Sequence, residues 1–118
     1  MTEKQSHLTI TENGEVRVVE FADRKILEEL SISEIGDELG RLVDDVPGIK
    51  LLLSFANVEH MSSAALGMLI TLNKKVSETS GALKLSDIAP QIYEVFKITR
   101  LNQLFDISDT AEHAVASF

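Results

Sequence analysis

Apolar residues in this chain recur at two different periods, and the changes from one to the other mark its elements. Leu8 and Ile10, then Val16 and Val18, alternate with polar residues on either side of Asn13-Gly14. That pattern predicts two strands joined by a hairpin, because Asn-Gly tolerates the positive φ of a tight turn. Val19 and Phe21 continue the second strand, while residues 1–6 are polar and expected to fray. The stretch 22–30 is ambiguous, with Lys25-Ile26-Leu27 a short extended piece before a helix. Ile35, Leu39, Leu42, Val43 and Val46 then fall on one helical face. Ser31 or Ser33 is placed to cap this helix, and Glu34, Asp37 and Glu38 suit its positive end. Pro47-Gly48 ends it. Gly36 and Gly40 within it each cost about 1 kcal/mol against alanine, which points to close packing onto a sheet.

Residues 49–55 form a nearly continuous apolar run, the mark of a strand buried on both faces. A short loop follows, and Ser62 then opens a helix to about Thr79 that buries Leu66, Leu69, Ile70 and Val76. Ser80-Gly81 breaks it, and residues 82–87 read as another strand. Ala89-Pro90 starts a third helix, with proline at its favoured early position and Ile92, Val95 and Phe96 facing inward. Leu101, Leu104, Phe105 and Ile107 suggest a short last strand with its approach, and Asp109 is placed to cap a final helix carrying Ala111, Ala114 and Val115. Strands alternating with helices after a hairpin give an α/β domain, 1–118, with a mixed sheet of about five strands and about four helices. The right-handed crossover rule puts most of those helices on one face.

Composition narrows what such a domain can do. The net charge is −8, and its eleven Lys and Arg are scattered, which argues against nucleic-acid binding. No apolar run approaches the ~18 residues of a membrane span, so neither membrane insertion nor secretion is expected. Zero cysteines remove disulfides and thiol chemistry and fit a cytoplasmic setting. The phosphate-cradling and zinc-binding motifs are missing, and His7, His60 and His113 have no companion at ligand spacing, so no metal or cofactor is expected. Asp44-Asp45 reads as an exposed helix end, and Met61 and Met68 as core or rim filler.

What chemistry remains sits at Ser62-Ser63. One reading makes Ser62 the cap and Ser63 an ordinary first-turn residue. The other has Ser63 point its hydroxyl outward to accept a phosphoryl group, with Ser62 as the alternative acceptor. A phosphate there would add about −1.5 to −2 charges without unfolding the helix, since anions are favoured at that end. A third arrangement, a small hydrolase using Ser63 with His60, lacks an evident carboxylate and elbow glycines.

In order and spacing the chain resembles the STAS domain, and specifically the bacterial anti-sigma-factor antagonists. In that family a buried strand is followed by a segment close to Asp-Ser-Ser/Thr-Gly-Leu-Gly-Val-Leu. Here Ser62 stands at the Asp, Ser63 at the phosphorylated Ser, Ala64 at the second Ser/Thr and Ala65 at the first Gly, before Leu66-Gly67-Met68-Leu69. Residues 81–85, 88–96 and 104–114 resemble the family's fourth strand, third helix and closing strand–helix pair. The resemblance implies a non-enzymatic binding switch. Unphosphorylated, it would bind an anti-sigma factor that is a serine kinase of the histidine-kinase-like ATPase superfamily, and so free a sigma factor. Phosphorylation at Ser63 would end that contact, and a PPM-type serine phosphatase would restore it. Asn57, His60, Ser62, Ser63 and Gly67 would lie at the docking surface. Three positions depart from the pattern. Ser62 removes a carboxylate beside the acceptor, Ala64 removes a second hydroxyl, and Ala65 stiffens the helix start. Such departures also suit a STAS module that binds without switching, in a lipid-transport type or sensory assembly.

Overall fold

Residues 7–118 are described by the computed structural model, and the fraying expected of 1–6 lies outside them. Strands β1 (Leu8–Asn13) and β2 (Val16–Phe21) form the expected hairpin. Asn13 stays in the ladder opposite Val16, so the two turn residues are Gly14 and Glu15, with positive φ at Gly14. Positive φ at the first central position is the type II′ pattern, one residue along from the Asn-Gly turn that the sequence suggested.

Beyond the hairpin the chain runs through β3 (Lys25–Ile26), α1 (Glu29–Asp45), β4 (Lys50–Ser54), β5 (His60–Met61) and α2 (Ser63–Glu78). It then forms β6 (Ala82–Ser86), α3 (Pro90–Ile98), the single turn α4 (Leu101–Leu104), β7 (Asp106–Ser108) and α5 (Ala111–Ala116). The main sheet has strand order β1-β2-β4-β6-β7, antiparallel at the hairpin and parallel from β2 onward. Because that order never reverses, right-handed crossovers stack α1, α2 and α3 on one face. There Ile35, Leu39, Leu69, Phe96 and other apolar residues bury Val19, Leu51, Leu53 and Leu85. The opposite face is covered by α5, where Ala114 packs on Val16 and Leu52. Central β4 is therefore closed on both sides, as its continuous apolar run required. The two-residue strands β3 and β5 pair in parallel as a separate ribbon.

Several local expectations change. Helix α1 begins at Glu29 with Glu28 as N-cap and no side-chain cap, so Ser31 and Ser33 lie inside it. The final helix is capped by Thr110, whose hydroxyl accepts from the His113 N–H, and not by Asp109. Gly36 faces α2 rather than the sheet: a Cβ added there would lie 3.1 Å from Met68. Ile70 and Val95, both expected inside, are exposed. Glycine is required at position 81, where an added Cβ would sit 2.6 Å from the Ile49 carbonyl oxygen.

Candidate functional site at the start of α2

Just past the carboxyl end of β4 the Phe55 side chain is fully buried. Phe55 packs against Phe21 with ring centroids 4.9 Å apart, and its N–H donates to the Ser86 carbonyl. The loop that follows is pinned on both sides. Val58 is buried, and the Asn57 side-chain amide donates to the Phe21 carbonyl at 3.2 Å. The ribbon then fixes the approach to α2. The Arg24 carbonyl accepts from the N–H groups of Glu59 and His60, and the Ile26 carbonyl accepts from Ser62. Exposed Asn57 thus has structural work of its own beside any docking role.

The two serines divide the tasks of a helix start. Ser62 has extended backbone, and its hydroxyl accepts from the Ala65 N–H at 3.3 Å. It is half-buried, and both its backbone N–H and its side chain are committed. Ser63 is the first helical residue and is exposed. No hydrogen bond within the described residues occupies its side chain. Ala64 and Gly67 continue the exposed strip, and a Cβ added to Gly67 meets nothing within 4 Å. Ser63 is therefore flanked by small, exposed side chains. The free N–H groups and dipole of the first turn favour an anion at this point.

His60 is exposed beside this strip. Among the described residues it neither hydrogen-bonds Ser63 nor receives a carboxylate that would orient it, and the Glu59 carboxylate pairs with Arg24 at 3.3 Å. The nucleophile–base–carboxylate arrangement is not assembled here. No group of three or more metal-binding side chains occurs among the described residues, and none of their helices is long and apolar enough to cross a membrane.

A groove of about 450 Å³ runs beside the strip, with Leu27, Met61, Leu66, Ile92 and Val95 along it and His60 at its edge. The Gln91 side chain spans to the Glu59 carbonyl at 3.2 Å. Sequence reasoning missed Leu27 and Val95 as groove residues. Period alone assigns Val95 to the inner face with Ile92 and Phe96, and Leu27 sits in a stretch without a clear period. Of the expected docking residues, His60 lines this groove, Ser62, Ser63 and Gly67 stand at the start of α2, and Asn57 stands in the loop before them.

Compared with known proteins, residues 7–114 match the family model of the STAS domain. The chain is 32% identical over 68 residues to the anti-sigma-B factor antagonist of Bacillus subtilis, covering 58% of this chain and 62% of that protein. It spans about 60% of the length of the curated relatives it matches. Among solved structures, a STAS domain protein from Planctomyces limnophilus superposes with TM-score 0.84 at 19% identity, covering 97% of this chain and 98% of that one. An anti-sigma factor antagonist from Mycobacterium paratuberculosis superposes with TM-score 0.81 at 20% identity, covering 93% and 91%. At these identities the structural likeness speaks to the fold.

Proposed function

This chain belongs to the STAS domain family, and from that premise we propose that it is an anti-sigma-factor antagonist switched by phosphorylation at Ser63. With Ser63 bare, the strip at the start of α2 and the adjacent groove dock an anti-sigma factor and so free a sigma factor. The partner is a serine kinase of the histidine-kinase-like ATPase superfamily, which supplies its own ATP and magnesium. The Ser63 oxygen bonds to the γ-phosphorus of the kinase's ATP as the bond from that phosphorus to the β–γ bridging oxygen breaks; ADP departs, and the hydroxyl proton passes to a base of the kinase. A PPM-type phosphatase hydrolyses the ester and resets the protein. All of this takes place in the cytoplasm, where sigma factors act.

The observation that carries the proposal is the division of labour between two adjacent hydroxyls. Ser62 caps the helix, which leaves the exposed Ser63 hydroxyl free for chemistry. A phosphate on Ser63 stabilises the helix end that bears it. It also inserts a dianion into a close contact, which is costly unless a cation on the partner receives it. One modification thus leaves the antagonist folded and expels its partner. The test is labelling with the kinase and ATP, followed by mapping of the modified residue. Label is expected on Ser63 and absent from Ser63→Ala; label persisting in that variant would overturn the assignment.

A second reading is favoured by Ser62, which leaves the acceptor without the neighbouring carboxylate of the switching pattern. It makes the domain a constitutive binding module in a transport or sensory assembly. Partner binding unaffected by Ser63→Asp would support it.

A further inference from the structure

His7, at the head of β1, takes no part in the core or in the Ser63 strip, yet it is the most heavily engaged polar side chain of its region. Its Nδ1 lies 2.7 Å from Asp23 Oδ2 and its Nε2 lies 2.8 Å from Glu34 Oε1. A neutral imidazole has one N–H and one lone pair, and an ionised carboxylate only accepts. Two bonds of this length at once therefore require both ring nitrogens to donate, which is the imidazolium. Asp23 stands between β2 and β3, and Glu34 stands on α1. The His7 carbonyl in turn accepts from the Ala22 N–H at 2.8 Å. One side chain thus joins β1, the 22–27 segment and α1.

The 22–27 segment is also what holds the approach to α2. The Arg24 carbonyl accepts from Glu59 and His60 at 2.7 and 3.1 Å, and the Ile26 carbonyl accepts from Ser62 at 3.1 Å. We propose that His7 is a proton-operated clasp: as the imidazolium it ties the 22–27 segment to α1 and thereby steadies residues 59–62, and on losing its proton it opens one arm and loosens them. Neutral imidazole keeps a single donor, so whichever nitrogen is bare turns a lone pair toward a carboxylate oxygen under 3 Å away, and that carboxylate must withdraw. Among the described residues, the charged groups facing the ring are Glu34 from α1 and Asp23 from the 22–27 segment. The adjoining end of β2 presents the uncharged Phe21 and Ala22, and Arg24 is paired with Glu59.

The direction of the pH dependence follows from those groups. The Glu34 hydrogen bond raises the imidazole pKa above its ordinary 6.5, partial burial pulls the other way, and Asp23 adds to the rise. A group whose folded pKa exceeds its unfolded one contributes stability that is fully present below the unfolded value. That contribution is lost as the pH climbs through the raised folded value. The clasp is therefore closed below the ordinary value of 6.5 and opens as the pH climbs through the raised one. Only the consequence for phosphorylation, a Ser63 presented more rigidly at lower pH, rests on the function proposed above.

The experiment uses the unphosphorylated chain without partner or kinase, so a failure of the phosphorylation reading leaves it untouched. Ring resonances of the histidines are followed by NMR against pH, together with amide exchange at Glu59, His60 and Ser62 corrected for base catalysis. His7 is expected to titrate above 6.5, and those amides are expected to open several-fold more above the His7 midpoint than below it. In His7→Gln that additional opening above the His7 midpoint is lost, and the difference between the two proteins removes every response they share. If His7→Gln does not fold, Glu34→Gln must lower the His7 midpoint. A His7 midpoint at or below the ordinary value, or the same pH response in the native chain and His7→Gln, would overturn the clasp.

Discussion

Two strand-to-helix junctions lie side by side at the carboxyl end of the sheet. Strand β4 leads to α2, and neighbouring β6, paired with it from Lys50 opposite Ala82 to Ser54 opposite Ser86, leads to α3. Both junctions carry serines, yet they use them in opposite ways. At the β6 junction Ser86 is fully buried and its hydroxyl donates to Asp87 Oδ2 at 2.7 Å. Asp87 adopts φ +58, and Pro90 occupies the first turn of α3 after an uncapped Ala89. At the β4 junction a longer, ribbon-braced loop ends in a capping Ser62, and the next hydroxyl is exposed. The contrast shows that a hydroxyl is left exposed and unbonded when its neighbour has already met the helix's needs. Where no such neighbour exists, the same residue type is absorbed into structure.

The strongest way to break this contrast is to charge the open junction. Ser63→Asp should weaken partner binding by about a hundredfold or more, the effect of leaving a charge uncompensated in a desolvated contact. Thermal stability should stay near that of the native chain, because an acidic residue suits a helix N-terminus. Titration calorimetry with the anti-sigma factor kinase proposed above as partner, beside a melting curve, separates the two effects. Binding within twofold of native would place Ser63 outside the contact.

The sealed junction should respond in reverse. Ser86→Ala removes the shorter of two hydroxyl bonds to Asp87 and leaves that part-buried carboxylate with the Ser54 hydroxyl at 3.5 Å, at a cost of about 1–3 kcal/mol in urea unfolding. Labelling of Ser63 should be unchanged. A Ser86→Ala protein as stable as the native one would mean that water replaces the hydroxyl without loss.

The difference between the junctions was only partly legible in the residues. Strand β4 and the Ser62 cap could be read directly, because a buried strand shows a continuous apolar run and a capping serine precedes a clear helical period. The helix layer followed from chain order and crossover handedness. What stayed hidden depends on partners distant in the chain. Asn57 bonding the Phe21 carbonyl, His7 bridging Asp23 and Glu34, and the β3–β5 ribbon each join residues at least sixteen positions apart. Val95 deceived for a related reason. Its helical period is correct, but it faces the groove it shares with Leu27, Met61 and Leu66 instead of the core.

A finer probe of the open junction is its cap. Ser62→Ala deletes the hydroxyl that accepts from Ala65 and should cost about 1 kcal/mol. Ser62→Asp should restore the lost stability and add a few tenths through the helix dipole. It also rebuilds the carboxylate that the switching pattern of the family places beside the acceptor. If Ser63 is labelled faster in Ser62→Asp than in the native chain, the missing carboxylate limits the transfer. If the rate is unchanged, Ser62 acts on Ser63 through capping alone.

The smallest effect is expected at Pro90, which does for α3 by rigidity what Ser62 does for α2 by hydrogen bonding. Ala89 offers no side-chain cap, so the first turn of α3 depends on a residue whose φ is already helical and which brings no N–H that needs a partner. The extended Ala89, with φ −59 and ψ 145, is the conformation that a following proline enforces. Pro90→Ala releases both restraints in the unfolded chain and adds one unbonded N–H to the helix start. It should cost about 0.4–1 kcal/mol, less than Ser62→Ala at the other junction. Ala89→Ser in the same background should recover part of the loss by giving α3 the hydroxyl cap that α2 already has. Recovery would show that the two junctions are alternative answers to one requirement, four unpaired N–H groups at a helix start. No recovery would show that the β6 junction holds α3 by its packing, with Ile92 and Phe96 buried beneath it, and that its proline is incidental.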